Sequence, residues 1–133
     1  FRGWDPAAPT RIFAVSDDPE VGPPAGREGP LAALLEDELR RLGWRLGEQE
    51  DADQHLVVLA ATPRGWKGRS GPGRQASEEA RALARAAPRG AVVLLGHARW
   101  LPEFGTPAIG AWSTESLMER AAGRWLHAAV SSP

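Results

Sequence analysis

With 133 residues the chain has room for one domain with its own core and not for two. Charged residues make up 25% and hydrophobic ones 42%, the balance of an ordinary water-exposed globular fold. A net charge of −1 gives no overall attraction to nucleic acid or to a membrane surface, and the absence of Cys excludes a disulfide framework and thiol chemistry. No apolar run approaches the roughly 18 residues that a membrane span requires. Nucleic acid and membrane are therefore not expected as partners. Charge is unevenly spread: residues 1–54 carry 6 Lys/Arg against 12 Asp/Glu, and residues 55–133 carry 10 against 5. Such asymmetry fits a basic face, or simply solvated charge.

Residues 1–10 contain two prolines and little pattern, and read as a linker ahead of a single domain over 11–130. Arg11 to Val15 is the first strand. A Pro/Gly-rich loop follows, headed by Asp17 and Asp18. Pro30 is suited to the first position of a helix whose Leu31, Leu34, Leu35, Leu39 and Leu42 share one face. Glu36–Arg40 and Asp37–Arg41 are spaced as i,i+4 ion pairs outside it, and Gly43 ends it. Residues 44–47 form a weak strand at a sheet edge, and His55 to Ala61 a wholly apolar, central one. After a glycine-rich basic loop, Thr62 to Arg74, the spacing of Ala76, Ala80, Leu83, Ala84 and Ala87 predicts a helix over 75–87. Ala91 to Leu95 is the second apolar strand and residues 108–112 the last. Ser113 is placed to cap a closing helix, with Gly123 either ending it or lying within it.

Helices alternating with buried strands predict a three-layer α/β/α sandwich around a five-stranded, mainly parallel sheet, with the flavodoxin-like order 2-1-3-4-5. In such a fold the ligand crevice lies outside the carboxyl ends of the strands. Arg64, Trp66, Lys67 and Arg69 after the central strand, His97, Arg99 and Trp100 after the next, and Trp112 after the last all fall there. Three indoles can stack on a sugar ring, and the guanidiniums can hold an anion. The same residue types also fill interfaces between domains, or merely cover the end of a core.

Catalytic patterns are missing. Asp17-Asp18 resembles the acidic pair of a phosphoacceptor receiver, but Thr62 and Trp112-Ser113 stand where that chemistry needs an Asp and a Lys. The loop Gly65 to Gly73 lacks the GK[ST] ending of a phosphate-binding loop, and no GxSxG elbow occurs. His55, His97 and His127 sit on separate elements without metal-ligand spacing, so neither metal nor cofactor is expected.

The stretch from His55 to Gly123 resembles the C-terminal domain of family 3 glycoside hydrolases, especially the β-N-acetylglucosaminidase (β-hexosaminidase) branch. The resemblance is carried by the apolar strand His55–Ala61, by Gln75 heading a helix, and by AVVLLG before a loop with Leu101-Pro102. It continues with Pro107-Ala108-Ile109 leading into Trp112-Ser113-Thr114. It implies a non-catalytic domain that packs on a (β/α)8 catalytic barrel of the same polypeptide, with carbohydrate as a further partner. The nucleophile and acid/base groups of that branch lie on the barrel, so no catalytic residue is expected here. A free-standing carbohydrate- or anion-binding module and a structural or dimerisation domain are the alternatives.

Overall fold

A computed structural model describes residues 1–17, 29–61 and 71–132. Four parallel strands, β1 (Thr10–Ser16), β2 (Gln54–Ala60), β3 (Arg89–Leu95) and β4 (Ala108–Ala111), lie side by side in chain order. Helix α1 (Ala33–Arg41) joins β1 to β2, and α2 (Arg74–Arg85) joins β2 to β3. A 3₁₀ segment (Ala98–Phe104) lies between β3 and β4, and α3 (Ser116–Ser131) follows β4. The chain is thus α/β with a parallel sheet, as expected.

Every residue of β2 is buried, because helices cover both faces of the sheet. Leu56 and Val58 point with Ala91, Val93 and Leu95 towards Leu35 and Leu39 of α1 and Ala122 and Leu126 of α3. Val57 and Leu59 alternate to the other side, where Val92 and Leu94 meet Ala76, Ala80 and Ala84 of α2 and Phe104. Period-two alternation into two apolar layers explains why both central strands read as uninterrupted apolar runs. β2 and β3 are adjacent, with Val57 beside Val92 and Val58 beside Val93.

Among the described residues the sheet has four strands instead of five. Residues 44–47 contribute only an isolated parallel bridge, Leu46 with Thr10. Thr10 N–H donates to Arg45 O at 2.9 Å and Gly47 N–H to Thr10 O at 3.1 Å, on the edge of β1 that faces away from β2. Trp44 turns into the α1-side core instead of pairing, so the segment is anchored by a side chain and not by a ladder. Its detour has a topological reason. α1 and α2 cover opposite faces although the strands step in one direction. Two direct crossovers would then have opposite hands, whereas passing the outer edge of β1 first lets both be right-handed.

Helix ends also differ from the sequence expectation. α1 starts at Ala33, not at Pro30; Pro30 O instead accepts from Ala33 N–H in the turn before it. Gly43, at φ 86°, closes α1 with Gly43 N–H to Arg40 O and Trp44 N–H to Leu39 O, the two bonds of a Schellman cap. α3 starts at Ser116, and Ser113 Oγ accepts from Glu115 N–H in the preceding turn. Gly123 lies inside α3, where a Cβ would stand 3.4 Å from Glu38 of α1. Residues 1–9 pack onto the domain: Trp4 is buried, and Asp5 N–H donates to Gln54 Oε1 at 2.7 Å.

Candidate functional site

Because all four strands are parallel, their carboxyl ends share one edge. Ser16 and Asp17 leave β1 there, Gly96 and His97 leave β3, and Trp112 leaves β4. Asp17 Oδ1 accepts Gly73 N–H at 2.7 Å, placing a carboxylate at the start of α2, where free amides and the helix dipole favour negative charge. Beside it lies a polar cleft of about 300 Å³ lined by Ser16, Asp17, Gly73, Arg74, Gln75 and Glu79.

His97 is exposed, and its Nδ1 accepts Arg99 N–H at 3.2 Å, which puts the ring proton on Nε2. Its ring edge meets Trp112 with centroids 4.9 Å apart. Trp112 is 65% exposed and stands clear of the core. Trp100 differs. It packs against the α2-side core and over Gly71, with the Arg99 guanidinium 5.0 Å from its ring centroid. Its indole N–H is buried with no partner among the described residues. The structure therefore pairs His97 with Trp112 and Arg99 with Trp100, one indole outside and one packed in. Arg64, Trp66, Lys67 and Arg69 lie outside the described residues. Among the described residues no three His, Asp or Glu side chains gather as a metal site. Asp17 serves the Gly73 amide just before α2, and Glu103, in the 3₁₀ segment, is exposed.

A second face was not foreseen. A groove of about 390 Å³ runs along β4, between Leu101 of the 3₁₀ segment and Met118, Ala121 and Trp125 of α3. Its floor is the strand Ala108–Ala111 itself. The bonds Val92 N–H to Pro107 O and Gly96 N–H to Ala111 O turn the odd-numbered residues of β4 to β3. Ala108 and Gly110 then direct their backbone groups to the outer edge. Leu117, at 72% exposure, and Trp125, at 54%, extend the apolar surface along α3. With Trp112 they are the exposed large apolar side chains among the described residues.

Bordering that face, α1 and α3 are locked by two buried acids. Glu38 is 1% exposed; its Oε1 accepts Arg41 Nη2 at 2.6 Å and Arg124 Nε at 2.8 Å, and Arg120 Nη1 stands 3.7 Å from Oε2. The hydrogen bond from Arg41, then that from Arg124, pulls its carboxyl from the usual 4.5 down to about 2. Arg41, expected to pair with Asp37, turns to Glu38 instead, whereas Glu36–Arg40 forms at 2.6 Å as its spacing foretells. Glu119, fully buried, accepts backbone N–H groups at the start of α1. Both acids carried a sequence signal. Glu38 falls three residues after Leu35 and four before Leu42, and Glu119 three before Ala122 and seven before Leu126, each on its helix's apolar stripe. No family model, no curated protein and no solved structure matches the chain.

Proposed function

We propose that this chain is a non-catalytic accessory domain that docks on a larger partner domain through the α3–β4 face. The observation that carries the reading is the exposed apolar surface of Leu117 and Trp125 beside the groove over the edge of β4, which pairs with no further strand among the described residues. Isolated exposed apolar side chains are ordinary. A contiguous set with an open strand edge marks an interaction surface. The resemblance of His55–Gly123 to the C-terminal domain of family 3 glycoside hydrolases names the finer version. In that version the partner is a (β/α)8 barrel acting on terminal N-acetylglucosaminides, and the barrel holds the nucleophile and the acid.

The test mixes the purified chain with a family 3 barrel domain lacking its own C-terminal domain. The chain alone should leave a chromogenic N-acetylglucosaminide intact and should raise the barrel's melting temperature when added. Trp125→Asp should abolish that rise. Turnover by the chain alone, or no effect on the barrel, contradicts the reading.

A second reading, a sugar-binding module, is favoured by one observation: Trp112 offers an exposed indole at a strand end, backed by His97. Quenching of Trp112 fluorescence on titration with N-acetylglucosamine, lost in Trp112→Phe, would support it over docking.

A further inference from the structure

We propose that the arginine edge of the α3 face recognises carboxylates of the docking partner, so that the docked element is a protein segment with an aliphatic anchor flanked by Asp or Glu. This rests on the docking reading above and specifies the chemistry of the partner.

The solvent side of α3 is divided lengthwise. Helical spacing puts Arg120 and Arg124 on the edge towards α1, and Ala121, Trp125 and Met118 on the edge towards β4, with Leu117 between. Arg124 meets Glu38 of α1 through Nε, so its two terminal nitrogens remain to face outward. Arg41 uses one terminal nitrogen in the same way. Their side chains, with that of Arg120, are 63%, 64% and 41% exposed in the order Arg41, Arg124, Arg120. Three guanidiniums thus converge on a single buried carboxylate, an excess of two positive charges. Among the described residues no other acid is ion-paired with any of them.

Gathering like charges on a surface is unfavourable unless an anion completes the cluster. Glu38 also fixes the forks: a guanidinium held through one nitrogen presents the rest at a set angle, which suits planar bidentate pairing with a carboxylate. The surroundings favour protein carboxylates over a phosphate backbone. Nucleic acid is bound along extended basic tracks. Here the basic cluster ends at Trp125 and a groove whose lining is almost wholly aliphatic. Arginine beside Trp and aliphatic pockets is the composition of protein interface centres.

The test uses the intact, isotope-labelled chain and three synthetic helical peptides. The first carries Leu at i,i+4 flanked by Glu, the second has Lys in place of Glu, and the third keeps Glu but has Ser in place of Leu. The Leu/Glu peptide should shift the indole N–H of Trp125 together with the Nε–H signals of Arg120 and Arg124. Replacing Glu by Lys should weaken binding by about tenfold or more, the scale of one charge-assisted contact. The double variant Arg120→Gln, Arg124→Gln, which leaves Arg41 on Glu38, should erase that preference while its remaining amide signals stay in place. Equal binding of the Lys peptide overturns the carboxylate assignment but leaves apolar docking standing. Shifts at the arginines with the Ser/Glu peptide as large as with the Leu/Glu peptide overturn it too, since the anchor would then be irrelevant. No response at Trp125 to any peptide overturns both.

Discussion

Glu119 on α3 holds the first turn of α1: its Oε1 accepts Ala32 N–H at 3.1 Å. Its Oε2 accepts Leu34 N–H at 3.1 Å and Leu35 N–H at 3.3 Å. A helix normally satisfies these donors with a Ser, Thr, Asp or Asn at its own start. The N-cap position of α1 is instead Ala32, whose φ of 73° is left-handed and whose methyl side chain accepts nothing. The cap therefore comes from another helix, and the helix pair forms as one unit. Glu119→Ala should leave three donors, two of them buried, without their acceptor and cost about 2–4 kcal/mol, with Glu119→Gln costing less because one oxygen remains. Urea unfolding monitored by circular dichroism reads both; a loss no greater than that of an exposed Glu→Ala change would contradict the trans-cap.

Glu38 sets an acid limit for the same helix pair. Its carboxyl is held at about 2 in the folded chain, against 4.5 when unpaired. A depressed folded value means the contribution is complete above about 4.5 and disappears as pH falls towards about 2. Wild-type stability should therefore drop across that window more steeply than that of Glu38→Gln, which has no such proton to take up. Urea midpoints followed from pH 6 downwards compare the two. Parallel profiles would show that Glu38 is not held in its charged form by the arginines.

Two glycines serve different needs, and their substitution should rank accordingly. At Gly90 a Cβ would collide with the backbone carbonyl oxygen of Ala84, where α2 ends on β3. Gly90→Ala should cost about 3 kcal/mol or more, at the upper end of overpacking effects. Gly43 has open space around it and only the left-handed φ to satisfy, so Gly43→Ala should cost about 1 kcal/mol. Thermal unfolding of the two variants under one condition tests the order, and a reversed order would contradict the α2–β3 approach.

The described tryptophans should separate sharply in solvent access. Trp4 and Trp44 are buried, with Trp44 Nε1–H donating to His127 Nδ1 at 3.1 Å, whereas Trp112 and Trp125 are more than half exposed. Acrylamide quenching should fall in Trp112→Phe and Trp125→Phe and stay constant in Trp4→Phe and Trp44→Phe. Strong quenching traced to Trp4 would mean that residues 1–9 do not pack as described.

Legibility from sequence followed burial. Leu56–Ala60 and Ala91–Leu95 were readable because two covering layers demand apolar residues at every position. The edge segment 44–47 was not, since one bridge at Leu46 leaves almost no pattern and Trp44 answers to the core instead. Glu38 and Glu119 were hidden by their charge. An acid on a helix is ordinarily solvated, and here only its register with Leu35, Leu42, Ala122 and Leu126 marked it as inward. The groove over β4 could not be read at all, because an unpaired edge is a property of the assembled sheet. His97 and Trp112 were expected at one edge and do meet, while Trp100 belongs to the packing under α2.

The most direct test of docking through the α3–β4 face is amide hydrogen exchange on the chain, alone and mixed with the family 3 barrel domain. Alone, exchange should be slowest in β2 and β3, which open only with the whole fold, and fast at the outward amides of Ala108 and Gly110. In the mixture, protection should appear at 108–111 and along 117–125 and leave the polar cleft at Ser16, Asp17 and Gly73–Gln75 unchanged. Protection confined to the strand-end cleft, or none at β4 and α3, would contradict the account.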